Sequence, residues 1–179
     1  MRTRSPSPSD REALIALIAA PESPPRGTQK PHQATPSNDR PDNPFRPEEV
    51  ACAIELLEAV LAPPEGNTYE ARILVDDADR PTCYACFGQT PMTDATFDLY
   101  WMVTSSAHRG KGLGAQLLGA LEAELAGRGA RTIRVETSSL EGQGGALRFY
   151  QRCGYRTSGT IADFYRPGDD LITLTKRLS

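Results

Sequence analysis

The chain has 179 residues, a formal net charge of −3 and a pI near 5.5. This length allows one domain with a sizeable hydrophobic core. The slight excess of acidic residues gives no electrostatic basis for nucleic-acid binding, and no apolar run approaches the length that is needed to cross a bilayer.

Two helices are predicted in the N-terminal third of the chain. The first lies near Ser9–Ala20, with Ser9 or Asp10 as its N-cap. Its apolar stretch follows a basic start and imitates a secretion signal, but the acidic residues at its N-terminal edge favour a helix in a cytoplasmic protein. The second lies near Pro47–Leu61, where Pro47 suits the first helical position and an apolar stripe faces the core.

Residues 21–44 separate the two helices and differ from the rest of the chain in composition. They are dense in Pro, Ser, Asn, Gln and charged residues, with few apolar ones. Such a segment does not bury enough apolar surface to offset its ordering entropy. We therefore expect a flexible Pro/Ser-rich insertion.

Strand, turn and helix signals fill the rest of the chain. Three strand signals joined by polar turns predict an antiparallel meander at Tyr69–Val75, Thr82–Gly88 and Ala95–Val103. A glycine-rich turn, a helix at Leu113–Leu125 and a strand at Thr132–Glu136 then predict a right-handed parallel crossover. A short helix and two closing strands complete the pattern, at Ala146–Cys153, Tyr155–Ile161 and Asp170–Thr175.

The four cysteines do not form a disulfide or metal framework. Cys83 and Cys86 are an odd number of positions apart in a predicted strand, which places them on opposite faces. No second cysteine pair completes a zinc site, and His32 and His108 are the only histidines. We expect no metal, and we expect small buried hydrophobic residues at Cys52, Cys83, Cys86 and Cys153.

The most informative motif is His108–Gly114, which reads HRGKGLG and lies between a predicted strand and a predicted helix. A glycine-rich turn that enters a helix leaves backbone N–H groups unpaired at the positive end of the helix dipole. Such groups bind phosphate. Because Arg109 and Lys111 add positive charge at the same place, the motif predicts a pyrophosphate site.

Two better-known glycine motifs do not fit this run. A Walker loop requires Ser or Thr after the Gly-Lys pair, whereas Gly112 follows Lys111 here. A dinucleotide fingerprint has the pattern G-x-G-x-x-G in an early strand–helix unit, whereas this run is G-x-G-x-G and lies late in the chain. The remaining alternative is a turn that only connects a strand to a helix.

Two segments in order and at the right spacing resemble a known family. Met102-Val103 followed by Arg109–Gly114 resembles the acetyl-CoA segment of the GCN5-related N-acetyltransferases (GNAT), and Ala146–Tyr155 resembles their A-x-x-F-Y-x-x-x-G-F/Y element. The resemblance covers Tyr69 to Leu178 well and is closest to bacterial members near the ribosomal-protein alanine N-acetyltransferases. It implies an α/β (α+β) fold, in which helices flank a mixed, mostly antiparallel central sheet. One parallel pair of strands in this sheet would splay apart around acetyl-CoA.

The resemblance also implies a domain organisation and a cofactor site. Residues 45–179 would form the acetyltransferase domain, with residues 1–20 as its N-terminal strand and helix. Acetyl-CoA would lie against Met102, Val103, Thr104, Arg109, Gly110, Lys111, Gly112, Leu113, Gly114 and Ala115. The asparagine that related enzymes carry before the short helix is absent here, and Gln143, in a glycine-rich loop, is its candidate replacement.

Two residues match the family's catalytic positions. In related enzymes, a glutamate with the spacing of Glu136 from the glycine turn is the general base, and the tyrosine at the position of Tyr150 protonates the CoA thiolate. A carboxylate at the carboxyl end of a strand in an α/β sheet also lies where ligands usually bind. The alternatives are a solvated carboxylate at Glu136 and a core tyrosine at Tyr150.

The family resemblance also implies, less directly, which residues contact the acceptor amine. Aromatic residues between the last two strands line the acceptor groove of related enzymes, and Phe164 and Tyr165 occupy the matching loop. Both rings could instead cap the core. Asp98, Glu136 and Asp163 would suit a cationic amine, and the insertion at 21–44 would either contact the acceptor or be disordered.

These patterns together predict an enzyme that moves an acetyl group from acetyl-CoA to a primary amine by direct attack. The acceptor would be a small molecule or a protein or peptide, and the enzyme a monomer or homodimer that binds neither nucleic acid nor membrane. The alternative is an acyl-CoA-binding sensor or interaction module of the same fold whose catalysis is weak or lost. A nucleotide-phosphate binder is excluded because no Ser or Thr follows Lys111.

Overall fold

A computed structural model describes residues 1–19, 47–63, 68–140 and 145–178. The predicted insertion at 21–44 and Gln143 lie outside these ranges. None of the described helices is long and apolar enough to cross a membrane.

The described strands form one seven-stranded mixed sheet in the order β1-β2-β3-β4-β5-β7-β6. Only β4 and β5 pair in parallel, and every other neighbouring pair is antiparallel. The strands are β1 (Arg2–Arg4), β2 (Tyr69–Val75), β3 (Pro81–Gln89), β4 (Thr96–Thr104), β5 (Thr132–Ser138), β6 (Arg156–Arg166) and β7 (Asp169–Arg177). The predicted meander and the parallel return after the glycine turn are both confirmed.

Four described helices flank the sheet: α1 (Arg11–Ala19), α2 (Pro47–Leu61), α3 (Leu113–Gly127) and α4 (Ala146–Arg152). The 3₁₀ turns Pro8–Asp10 and Ser106–His108 precede α1 and the glycine turn. Five leucines of α3 recur at helical spacing and are buried, namely Leu113, Leu117, Leu118, Leu121 and Leu125. Each such side chain contributes roughly 1.5–3 kcal/mol when it is removed from water.

The sheet separates two hydrophobic cores. One lies on the side of α3 and α4 and includes Cys83 and Phe87, and the other lies under α1 and α2 and includes Tyr84 and Cys86. Cys83 and Cys86 thus face opposite cores, as predicted from their odd separation. The prediction of burial is wrong for Cys52, which is exposed, because α2 turns its Ala53 face inward; Cys153 is half-buried.

The start of α1 differs from the prediction. Ser7 is the N-cap of the 3₁₀ turn Pro8–Asp10, which runs directly into α1 at Arg11, so helical structure begins before both predicted cap residues. The Asp10 carboxylate accepts a hydrogen bond from the Ser7 backbone N–H at 2.8 Å and two from the Arg4 guanidinium at 2.7 and 2.8 Å. Arg4 also contacts Asp79. These contacts join β1, the start of α1 and the β2–β3 turn.

The last hairpin is also longer than predicted. Phe164 and Tyr165 lie in β6 rather than in a loop, because the turn between β6 and β7 contains only Pro167 and Gly168. Gly168 has a φ of +79°, which favours glycine. Between Ile161 and Arg166 the pairing of β6 with β7 is irregular.

Candidate active site

The parallel strands β4 and β5 separate partway along their length. Their register runs from Thr96 opposite Thr132 to Leu99 opposite Val135 and stops there. Both strands nevertheless continue, β4 to Thr104 and β5 to Ser138. An opening therefore lies between these two strands of one sheet. Beyond Leu99, the backbone groups on this edge of β4 do not pair with β5.

An irregularity in β4 marks the start of this opening. Cys86 of β3 lies opposite Trp101, whereas the next residue, Phe87, lies opposite Leu99. Tyr100 is therefore an extra residue, and such a β-bulge bends its strand and increases the local twist. Residues Met102, Val103 and Thr104 follow the bulge and pair on their other edge with β3.

The glycine turn joins the end of β4 to α3. Gly110 and Gly112 have φ values of +72° and +79°, and Gly112 is the N-cap of α3. No side chain caps the first amides of α3, so they remain available for an anion. A Cβ on Gly114 would lie 3.3 Å from Thr104 Oγ1 and 3.5 Å from the Phe149 ring, so this glycine lets α3 approach β4 and α4 closely.

Basic side chains lie on the same turn. Arg109 Nε donates a hydrogen bond to the Thr104 carbonyl at 3.3 Å, which ties the turn to the end of β4. The Lys111 side chain is exposed, as is Ala115 on the first turn of α3. The turn therefore combines unpaired amides with two cationic side chains, which is the arrangement predicted for a pyrophosphate site.

A cavity continues from the open end of β5 to the start of α4. Its volume is about 240 Å³, and it is lined by Ser138, Ser139, Leu140, Gly145, Ala146, Leu147 and Arg148. It lies at the carboxyl end of β5, next to the opening between the strands. Gln143 falls between the lining segments but outside the described residues.

Glu136 is the first residue of β5 beyond the last pair with β4. Its side chain is 43% exposed, and one carboxylate oxygen lies 3.7 Å from an Arg134 guanidinium nitrogen. Thr173 of β7 lies opposite it across the antiparallel pair. The carboxylate is thus placed at the opening and accessible to an incoming group.

Tyr150 lies on α4 and is 6% exposed. Its ring contacts Phe149 and Tyr155 edge-to-face, with centroids 5.1 and 5.5 Å apart. Burial raises the pKa of the Tyr150 phenol well above its ordinary value of 10.0, and Cys153 raises it further. The residue thus packs in the core, as the alternative proposed, and also keeps its proton at neutral pH, as a general acid requires.

The β6–β7 hairpin is attached to the end of β5 through its acidic residues. The Asp169 carboxylate is buried, accepts a hydrogen bond from the Ser138 hydroxyl and lies 3.3 Å from Arg166 Nε. The Asp170 backbone N–H donates to Ser139 Oγ at 2.9 Å, and the Ser139 N–H donates to the Asp170 carbonyl at the same distance. The tip of the hairpin is therefore held beside the opening and the cavity.

The two aromatic residues of this hairpin belong to neither hydrophobic core. Phe164 is 54% exposed and Tyr165 is half-buried. Their rings contact each other edge-to-face at 5.0 Å. Asp163 adopts a φ of +53°, and its carboxylate accepts a hydrogen bond from the Gly168 N–H at 2.6 Å, so it stabilises the hairpin itself.

A family model described as the acetyltransferase (GNAT) domain matches residues 69–157, from β2 to the start of β6. The chain belongs to the GNAT acetyltransferase family. It has the family's mixed seven-stranded sheet with one parallel pair and flanking helices. No curated protein is similar enough in sequence to match this GNAT chain.

Solved structures of GNAT proteins resemble the whole chain. A protein of Desulfovibrio desulfuricans assigned to the GNAT acetyltransferases is 27% identical, with a TM-score of 0.80 over 99% of both chains. An aminoglycoside 6'-N-acetyltransferase in complex with coenzyme A is 18% identical, with a TM-score of 0.70 over 100% of this chain and 98% of that one. The ribosomal-protein-S18-alanine N-acetyltransferase of Escherichia coli is 15% identical, with a TM-score of 0.67 over 99% and 94%. The last two show the fold alone.

Two further residues of this GNAT acetyltransferase lie at the opening and were not predicted from the sequence. Tyr100 is the bulged residue of β4, and Arg134 precedes Glu136 by two positions, so the side chains of Arg134 and Glu136 share one face of β5. Strand spacing alone was enough to place Arg134 on that face. Its pairing with Asp98 depends on the β4–β5 register, which the sequence does not show.

Proposed function

We propose that this acetyltransferase moves the acetyl group of acetyl-CoA to a primary amine by direct attack, with Glu136 as the general base and Tyr150 as the general acid. One observation carries the proposal. The parallel pair opens at Glu136, beside a helix whose N-terminal amides have no side-chain cap. A pyrophosphate and a reacting amine therefore have binding sites on the same side of the fold.

The chain's own groups fit acetyl-CoA. Acetyl-CoA supplies a reactive thioester and a thiolate leaving group. The amides of residues 110–114 and the cations Arg109 and Lys111 suit the pyrophosphate, and the uncovered edge of Met102–Thr104 suits the amides of the pantetheine arm. A β4 N–H on that edge would also polarise the thioester carbonyl, because a preorganised donor stabilises negative charge that develops there.

Glu136 accepts the proton that the acceptor amine must lose. The side chain is exposed at the mouth of the opening, so an amine can reach it from solvent. A deprotonated amine is nucleophilic, and a base that holds it against the thioester contributes by proton transfer and by positioning.

Tyr150 donates the proton that the departing thiolate requires. Burial keeps the phenol protonated, because it raises the pKa of Tyr150, and the rings of Phe149 and Tyr155 fix its orientation. Gly114 brings α3 to within contact of Phe149. The start of α3 and the proposed acid are thus linked through Phe149.

The acceptor groove is formed by the β6–β7 hairpin. Tyr165, with Phe164, lies in a hairpin that is tied to Ser138 and Ser139 at the end of β5, and exposed aromatic rings suit an organic amine or a peptide. Two of the similar structures are named for an aminoglycoside and for a ribosomal-protein alanine as acceptors. We therefore include both small amines and peptide N-termini in the acceptor class.

The test is release of free thiol from acetyl-CoA in the presence of a panel of amines, peptides and aminoglycosides. Wild-type protein is expected to release thiol with at least one amine and to lose most of that activity on the Glu136→Gln substitution. Binding of acetyl-CoA should persist in the variant. If no amine releases thiol although acetyl-CoA binds, the protein is a binding module, and the proposed reaction is wrong.

A further inference from the structure

A buried carboxylate lies opposite Arg134 in the last register pair but one of the parallel strands. Asp98 of β4 is 6% exposed and lies directly across the sheet from Arg134 of β5. Arg134 Nε donates a hydrogen bond to Asp98 Oδ1 at 2.6 Å. This hydrogen bond raises the pKa of Arg134. A buried carboxylate requires such a partner, so Asp98 holds the guanidinium in one orientation.

The same guanidinium reaches the proposed base. An outer nitrogen of Arg134 lies 3.7 Å from Glu136 Oε1, on the same face of β5. Asp98 contacts the Nε side of the guanidinium, so its outer nitrogens remain for Glu136. The three side chains form a row, Asp98–Arg134–Glu136, that runs from the paired part of the strands to the opening.

We propose that Arg134 is a positioning residue that orients the Glu136 carboxylate toward the acceptor amine and is itself held by Asp98. The inference rests on the proposed function, since it assigns Arg134 a role only through Glu136. An exposed glutamate at a strand position adopts several rotamers. An anchored guanidinium beside it restricts them, and a carboxylate displaced by about 1 Å loses much of its effect on the reaction.

The position of Asp98 also revises its predicted role. The sequence alone predicts that Asp98 suits a cationic amine. In the structure its carboxylate is buried and accepts a hydrogen bond from Arg134. Asp98 therefore holds Arg134 rather than an amine. Asp163, offered on the same grounds, accepts a hydrogen bond within its own hairpin.

The main variant is the double substitution Asp98→Asn/Arg134→Gln. It removes both charges together and leaves no unpaired buried carboxylate, so the fold is retained. We expect kcat to fall on the order of 10-fold, with the acetyl-CoA Kd and the Tm close to wild type. Arg134→Lys should recover only part of the loss, because an ammonium cannot serve two carboxylates through a rigid fork.

The matched control is Arg128→Gln. The Arg128 side chain is 40% exposed, as is that of Arg134, and it pairs with Glu70 at 2.6 Å away from the opening. If Arg134 is merely one of the surface ion pairs, the two variants should have equal kcat values. A fall in kcat confined to the Arg134 variants supports positioning, and equal values overturn it.

A double-mutant cycle with Glu136→Gln separates this inference from the function on which it rests. If Arg134 acts through Glu136, the Asp98→Asn/Arg134→Gln change should lower kcat no further once Glu136 is glutamine. If the two changes instead lower kcat by independent factors that multiply, the positioning role is overturned. A Glu136→Gln protein as active as wild type would overturn the base assignment itself, and the positioning role with it.

Discussion

Leu99 of β4 and Val135 of β5 form the last register pair that the two parallel strands share. Both side chains are buried in the core under α3. Directly beyond them, Tyr100 is a bulged residue and Glu136 is exposed. This apolar pair therefore marks the edge of the core, and the polar opening begins directly beyond it. Glu136, the proposed general base, is the next residue of β5.

The proposed cofactor site predicts that a negative charge at position 112 prevents acetyl-CoA from binding. Acetyl-CoA should raise the Tm of the wild-type protein, because a ligand that binds only the native state stabilises it by mass action. Gly112→Asp should abolish this shift, since it places a carboxylate at the N-terminus of α3 where phosphate would bind. Thermal unfolding with and without acetyl-CoA measures the effect.

Two controls isolate the charge in that experiment. Gly112→Asn introduces the same strain at a φ of +79° without the charge and should keep a larger shift than Gly112→Asp. Gly119→Asp adds the same carboxylate to an open position of the same helix and should keep the full shift. A wild-type shift in Gly112→Asp would show that the phosphate site lies elsewhere.

Tyr150→Phe tests the general acid. Removal of the hydroxyl should lower kcat on the order of 10²-fold, whereas acetyl-CoA affinity and Tm should change little because the ring packing is retained. Tyr155→Phe is the control, since its ring contacts that of Tyr150 at 5.5 Å and its hydroxyl is also buried. Equal kcat values for Tyr150→Phe and wild type would leave Tyr150 with the packing role alone.

Tyr165→Ala tests the acceptor groove. If Tyr165 contacts the amine, the substitution should raise the acceptor KM by about 10-fold, as for the loss of an apolar contact of 1–3 kcal/mol, with acetyl-CoA affinity unchanged. The ring lies outside both cores, so Tm should fall little. A large fall in Tm together with weaker binding of both substrates would remove Tyr165 from the acceptor site.

The contact between Arg4 and Asp10 predicts a pH dependence of stability. The hydrogen bond from Arg4 holds the pKa of Asp10 well below its ordinary value of 3.8. A carboxyl group with a lowered pKa in the folded state stabilises the fold above its unfolded pKa, and this contribution is lost as pH falls below about 4. Asp10→Asn should therefore lower the free energy of unfolding at pH 7 by about 1–2 kcal/mol.

Urea denaturation at pH 7 and at pH 3 measures that dependence. The difference between wild type and Asp10→Asn should shrink as pH falls below about 4, since Asp10 of the unfolded chain then takes up a proton that the folded state does not. Asp77→Asn is the control, because the Asp77 side chain is 99% exposed and its substitution should change the free energy of unfolding little. A difference that stays constant from pH 7 to pH 3 would contradict the assignment.

Local patterns predicted most of this fold. The apolar stripe of α2 and the strand signal of β2 predicted both elements with the observed bounds, Pro47–Leu61 and Tyr69–Val75. The glycine run predicted the start of α3 at Leu113. In each case the signal lies within one element, where side-chain spacing and turn chemistry determine the structure.

Features that depend on distant residues were not predicted. The Tyr100 bulge is defined by the register with β3, and the Arg134–Asp98 bond joins residues 36 positions apart. The 3₁₀ turn that Ser7 caps, and the hydrogen bond from Arg4 to Asp10 across the β1–α1 corner, were not predicted either. Cross-strand register and long-range ion pairs leave no periodic signal in one sequence.

The most direct test of the proposed mechanism compares wild type with Glu136→Gln on acceptor amines of different basicity. Single-turnover transfer rates at pH 7 would be measured for acceptors that the thiol-release assay identifies, with lysine-type amines of pKa about 10.4 and α-amines of pKa about 7.7. A base matters most for the amine that is almost wholly protonated. We predict a wild-type to variant rate ratio on the order of 10² for the more basic amine and a clearly smaller ratio for the α-amine. A ratio that does not change with amine pKa would contradict the assignment of Glu136 as the general base.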